Sequence, residues 1–110
     1  MSFDIYEAFC NLSAAFGPSG RESDIIQAIR EVTADNVQDI GDWDHHIDAM
    51  NNLVYHRKGN GKKILLAAHM DSIGVVVTHI DDNGFARFAQ VGGFMLGDLV
   101  DRRVRFQNGT

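Results

Sequence analysis

The 110-residue sequence predicts an α/β fold, and three observations support that prediction. The apolar run Ile64–Ala68 is too short for a helix and lacks the alternation of a half-exposed strand. It therefore indicates a strand in the middle of a sheet, covered on both faces. Two stretches with helical periodicity precede the run, and hairpin patterns flank it. A chain of this length has room for one core rather than two.

Two amphipathic helices are predicted in the first third of the chain. The apolar residues of the first recur at helical spacing: Ile5, Phe9, Leu12 and Phe16. Those of the second do the same: Ile25, Ile26, Ile29 and Val32. Ser2 is suited to cap the first helix, which Gly17-Pro18 should end. Ser19 and Glu22 have the Ser-x-x-Glu form of a capping box and predict the start of the second helix.

The segment Val37–Trp43 is predicted to be a strand followed by a loop. The next residues, Asp42–Asp48, have the composition of a metal cluster. Adjacent His45 and His46 would face opposite sides of a strand, however, so a solvated acidic loop is the preferred interpretation.

Five β segments are predicted around the apolar run, two before it and three after it. Ile47–Met50 and Leu53–Arg57 form a hairpin pattern across Asn51-Asn52, because asparagine tolerates the positive φ of tight turns. Gly74–Ile80 and Phe85–Val91 form a second one. A last β segment is predicted at Val100–Phe106, followed by a turn, and the chain is expected to stop inside a larger protein.

Charge and hydropathy exclude some classes of partner. The net charge of −5 and the pI near 5.3 argue against nucleic acid, because phosphate binding needs clustered Lys and Arg. No apolar run approaches the roughly 18 residues of a membrane span. The start, Met1–Glu7, has no basic region typical of a secretory signal, so the default expectation is a cytoplasmic protein.

His69 and Asp71 are the candidate site residues. They follow the apolar run at the carboxyl end of the predicted strand, where open α/β sheets bind ligands, and a period of two points both side chains the same way. A ligating histidine commonly donates its second N–H to a carboxylate, so the pair suits a metal ligand and its partner. A buried polar pair that closes a strand is the alternative.

Several separated motifs occur in an order that resembles a known family. They are Phe16–Glu22, Asp48–Leu53, Leu66–Gly74, Val77–Asp81, and Gly84-Phe85 with Val91–Phe94. The family is that of the dinuclear metallo-aminopeptidases, which include the glutamyl, deblocking and tetrahedral aminopeptidases. The resemblance covers nearly the whole chain but only the leading part of the family's longer sequence.

The resemblance implies an enzyme with two divalent metal ions, zinc or cobalt. His69 would be a ligand to one ion, and Asp71 would be the catalytic-site carboxylate that orients the His69 imidazole. Residues 1–72 would be the amino-terminal part of a zinc-peptidase-like α/β catalytic domain, and residues 73–110 the start of an inserted β-rich dimerisation domain. Peptides would be the substrates, and self-association into dimers or larger homo-oligomers is expected.

The chain departs from the family pattern at two residues, and it covers only part of the family's sequence. Ser72 stands where the family typically has glutamate, and Asn51 where it has glycine. The other ligands and the glutamate base would lie downstream, so the 110 residues alone are expected to be inactive. The alternative is a truncated, inactive fragment that acts as an assembly or binding module. Glycoside hydrolysis is disfavoured, because no two carboxylates are paired on facing strands.

Overall fold

The computed structural model describes residues 3–37 and 43–109, with the backbone alone for 35–37. It contains two helices followed by two antiparallel hairpins, which confirms a mixed α/β composition. Ser2 and most of Val37–Trp43 lie outside the described residues, and the strand predicted there stays a prediction. The residue that caps the first helix is Asp4 rather than the predicted Ser2. No helix in these two ranges combines the length and the apolar character needed to cross a membrane.

Both predicted helices are present, but their starts differ from the prediction. Helix α1 spans Ile5–Ala14, and Asp4 Oδ1 accepts from two backbone N–H groups of its first turn, at 2.9 and 3.0 Å. Helix α2 spans Ser23–Val37, and its first hydrogen bond runs from Ile26 N–H to Glu22 C=O. The predicted Ser19 capping box is wrong, because the Ser19 hydroxyl binds a distant carboxylate instead.

The contact between the helices forms the small buried centre of the described structure. The apolar side chains that are buried there are Ala8, Ile25 and Ile26. Gly17 lies directly against α2, and a Cβ at this position would come within 2.6 Å of Ile25 Cγ2. Only glycine allows the chain after α1 to approach α2 this closely.

The first hairpin pairs β1 (Trp43–Ile47) with β2 (Leu53–Arg57) in antiparallel register, from Trp43 opposite Arg57 to Ile47 opposite Leu53. The turn contains the predicted Asn51-Asn52, and Asn51 has φ 64°. The predicted first strand, Ile47–Met50, is wrong beyond Ile47, because residues 48–50 belong to the turn. The predicted acidic loop at Asp42–Asp48 is wrong over 43–47, which form a strand. Backbone pairing and the stacking of His45 on Tyr55, with ring centroids 5.5 Å apart, stabilise this exposed strand.

The second hairpin is confirmed. Strands β3 (Gly74–Ile80) and β4 (Ala86–Val91) pair antiparallel, with an irregularity in register between Val77 and His79. In the connecting turn, Asp81 Oδ1 accepts from the N–H groups of Asn83 and Phe85.

The predicted central strand is not formed. Residues 62–71 have no regular secondary structure, and the side chains of Ile64, Leu65 and Leu66 are 85–91% exposed. A buried strand needs neighbours along both edges and layers on both faces, and the described residues place no strand beside this run.

The predicted strand at Val100–Phe106 is also wrong. A short 3-10 helix, Leu96–Leu99, is followed by irregular chain. Arg105 donates to Ala14 C=O at 3.0 Å and lies over the Phe16 ring, 5.8 Å from its centroid. This residue therefore satisfies a carbonyl at the end of α1 instead of standing in a sheet. The predicted turn near the end is present, with Gly109 N–H bonded to Phe106 C=O.

Candidate functional site

His69 and Asp71 lie at the end of the irregular segment, on the rim of an open groove. The groove has a volume of about 580 Å³ and lies between residues 65–71 and the turn of the first hairpin. Glu22 and Asp48 also line it. Three acidic residues and one imidazole therefore face the same space.

The imidazole of His69 is oriented by Asp71. Its Nδ1 lies 3.2 Å from Asp71 Oδ1 and 3.1 Å from the Asp71 backbone oxygen. Both partners are acceptors, so Nδ1 must carry the proton, and the neutral ring then presents the lone pair of Nε2. The His69 side chain is 87% exposed and lines the groove. This is the arrangement expected of a metal-ligating histidine with a carboxylate partner.

The other oxygen of Asp71 is bound by a residue that the sequence did not single out for the site. Ser19 Oγ donates to Asp71 Oδ2 at 2.5 Å. This hydrogen bond lowers the pKa of the Asp71 carboxyl below its usual value of 3.8, and the hydrogen bond with His69 lowers it further. Asp71 is therefore ionised at neutral pH.

Ser19 belongs to a loop that is bound along the site. Ser72 N–H donates to Gly17 C=O at 2.7 Å, and Pro18 and Ser72 form an isolated parallel bridge. The loop after α1 is thus fixed to the backbone beside Asp71. The signal in the sequence was the motif Phe16–Glu22, but local periodicity could not show which distant residue it contacts.

Glu22 connects the same loop with the first hairpin. Its Oε1 accepts from Gly20 N–H at 2.6 Å, and its Oε2 accepts from Asn51 Nδ2 at 3.3 Å. Asn51 stands where the family described above has glycine. It keeps the positive φ of the turn and adds a side-chain contact with Glu22. Ser72, the other departure, is joined to the loop through its backbone N–H.

The residues at the groove fit part of a metal site. His69 supplies one exposed ring nitrogen, and Asp71 supplies the carboxylate that holds the ring. Within residues 3–37 and 43–109, no group of three His, Cys, Asp or Glu is placed to hold an ion. An ion bound to His69 would therefore need further ligands from outside these residues.

Comparison with known proteins gives a consistent family. The model of the M42 glutamyl aminopeptidase family matches residues 51–110. A provisionally named aminopeptidase of Acetivibrio thermocellus is 43% identical over 107 residues, which is 97% of this chain and 31% of that protein. A lysyl aminopeptidase of Pyrococcus furiosus is 38% identical over 78 residues, 71% of this chain and 22% of that protein.

A third relative extends the match at lower identity. The provisionally named aminopeptidase FrvX of Escherichia coli is 28% identical over 104 residues, 94% of this chain and 27% of that protein. The chain thus spans less than a third of the length of these relatives.

Proposed function

The chain belongs to the M42 glutamyl aminopeptidase family, and from that premise we propose that it is the amino-terminal part of a metal-dependent aminopeptidase. The reaction would be hydrolysis of the first peptide bond of a peptide substrate. The observation that carries the proposal is the His69–Asp71 pair, in which Nδ1 lies against Asp71 and the exposed ring lines the groove.

His69 would hold one of two divalent ions, zinc or cobalt, through Nε2. Such ions lower the pKa of water and polarise a carbonyl, which is the chemistry that peptide hydrolysis needs. Asp71 fixes the tautomer and the orientation of the ring through its contacts with Nδ1. The other ligands and the general base would come from chain beyond Thr110, so the 110 residues alone would have no peptidase activity.

The remaining assignments belong to the same proposal. Residues 1–72 would enter a zinc-peptidase-like α/β catalytic domain, and residues 73–110, which contain the second hairpin, would begin an inserted β domain that joins subunits. The protein would act in the cytoplasm.

The test of the metal ligand is His69→Ala in the full-length protein. We expect loss of hydrolysis of an aminoacyl-nitroanilide together with loss of about one metal ion per subunit, measured by elemental analysis. His79→Ala, which removes an exposed imidazole from β3, is the matched control and should retain both. Full turnover with two bound ions in His69→Ala would remove His69 from the site.

A second candidate function is a non-catalytic assembly or binding module. The observation that favours it is the exposed run Ile64–Leu66, an apolar surface available to another chain. The reading frame separates the two candidates. Codons that continue past Thr110 into further Asp, Glu and His motifs support the enzyme, and a stop codon at that point supports the module.

A further inference from the structure

We propose that Ser19 is a positioning residue for the metal site. This proposal rests on the proposed function of His69 as a metal ligand. Ser19 holds the Asp71 carboxylate in the rotation at which its second oxygen meets His69 Nδ1. The hydroxyl thereby determines which imidazole nitrogen is available to a divalent cation. Ser19 itself contacts neither metal nor substrate in this role.

The geometry of the carboxylate gives the first argument. Ser19 Oγ binds Oδ2 of Asp71, and His69 Nδ1 lies against Oδ1. The terminal torsion of an aspartate side chain is broad and has no sharply preferred value. A donor on one oxygen is therefore needed to keep the other oxygen aimed at the imidazole, and rotation of the carboxylate breaks both contacts together.

The exposure of the imidazole gives the second argument. At 87% exposure, the His69 ring has little packing to restrain it, and its described polar contacts are those with Asp71. Any freedom of the Asp71 carboxylate is thus passed to the ring. The Asp71 side chain is 40% exposed, so water can replace a missing hydroxyl without restoring a fixed direction.

The support of Ser19 gives the third argument. The preceding residues are fixed independently of the Asp71 side chain, through the Ser72 N–H to Gly17 C=O bond and the packing of Gly17 on Ile25. Proline at position 18 further limits the backbone. The hydroxyl is therefore presented by a rigid loop anchored to α2, as a positioning group requires.

The experiment measures metal affinity by chelator competition in the full-length protein, with zinc or cobalt as the probe. Mutation of a residue that hydrogen-bonds to a metal ligand typically lowers metal affinity about 10–100-fold. Ser19 acts one step further away, through Asp71, so Ser19→Ala should weaken metal affinity about tenfold. Ser19→Thr keeps a hydroxyl and should bind metal more tightly than Ser19→Ala. Ser19→Val has the shape of threonine but no hydroxyl, and it should bind metal as weakly as Ser19→Ala. Ser23→Ala is the matched control, because Ser23 Oγ contacts Asp24 instead.

A double-mutant cycle separates positioning from a general structural effect. If Ser19 acts through Asp71, Ser19→Ala should cause no further loss of affinity in an Asp71→Ala background. A further loss of the same size would overturn the proposal. Unfolding of the metal-free variants, followed by circular dichroism, establishes that the affinities compared are those of folded proteins.

The same cycle distinguishes this proposal from the proposed function. Unchanged affinity in Ser19→Ala, beside a clear loss in Asp71→Ala, overturns the role of Ser19 and leaves the metal site intact. Unchanged affinity in both variants overturns the roles of Asp71 and of Ser19 together, and His69→Ala then shows whether the imidazole still holds the ion.

Discussion

Asp48 and Asp71 are both held by hydrogen bonds, but the donors come from different distances along the chain. Asp48 accepts from Met50 and Asn52, within its own turn. Asp71 accepts from Ser19, 52 residues earlier in the chain. The first carboxylate therefore stabilises a local turn, whereas the second joins two distant segments at the groove.

Replacement of Asp71 by asparagine should weaken metal affinity or activity rather than folding. The amide keeps the size of the side chain but lacks the negative charge that strengthens the hydrogen bond with His69 Nδ1. We expect a loss of about 10–100-fold in metal affinity or in kcat/KM, measured on the full-length protein. If Asp71→Asn instead unfolds while its folded fraction binds metal normally, the pair has a structural role only.

The Asp48 turn should show acid sensitivity of a defined sign. The side-chain hydrogen bond from Asn52, followed by backbone bonds from Asn52 and Met50 and the charge of His46, lowers the pKa of Asp48 below 3.8. Because the pKa of Asp48 is lower in the folded than in the unfolded chain, ionised Asp48 stabilises the hairpin at pH values above the unfolded-state pKa. This contribution is lost as the pH falls through the folded-state pKa. Carbon-13 NMR titration should place the carboxyl pKa under 3.8, and Asn52→Ala should move it upward. A value at or above the usual one in the unsubstituted chain would contradict this origin.

At the scale of elements, the two hairpins use the same five-residue turn. In each, an aspartate accepts from backbone N–H groups two and four residues later: Asp48 in the first, Asp81 in the second. The fourth residue has positive φ in both, Asn51 at 64° and Gly84 at 85°. The two turns thus share the spacing of aspartate and of the Asn or Gly that takes the positive φ.

Substitutions at the fourth turn position should separate backbone strain from side-chain contact. Asn51→Ala and Gly84→Ala should each destabilise by about 1 kcal/mol, because alanine disfavours the left-handed region. No atom lies within 4 Å of a Cβ at Gly84, so strain alone acts there. Asn51→Gly loses only the exposed contact with Glu22 and should change stability by less than about 0.5 kcal/mol. Equal stability of Asn51→Ala and Asn51→Gly in urea unfolding would refute this explanation.

The sequence predicted elements whose partners are near in the chain and failed where partners are distant. Both helices and both hairpin turns follow from periodicity and turn residues that lie close together in the chain. The segment Ile64–Ala68 needs strands that local pattern cannot supply, and Ser19 was assigned to a helix cap because Asp71 is far away in sequence. The position of His69 beside Asp71 was predictable, since the two are neighbours in sequence, but the hydroxyl that holds the pair was not.

At the scale of the whole molecule, the described chain is extended. Its radius of gyration is 17.9 Å and its dimensions are 61 × 31 × 24 Å, whereas a compact domain of this length has a radius of about 13 Å. Among the residues that the structure describes, the buried apolar side chains are those at the contact between the helices. The exposed apolar surface is correspondingly large, and burial of such surface is the main driving force for association.

We therefore expect the 110-residue chain in isolation to form dimers or larger assemblies at micromolar concentration. The exposed run Ile64–Leu66 and the edges of the two-stranded hairpins can pair with other copies, including by exchange of β segments. Leu65→Lys should shift the equilibrium toward monomer, because it places a charge in the run. Ile5→Lys, with the same charge change on the exposed side of α1, should do so less. Analytical ultracentrifugation over a wide concentration range measures this, and a single 12.2 kDa species throughout would show that the chain covers its own apolar surface in solution.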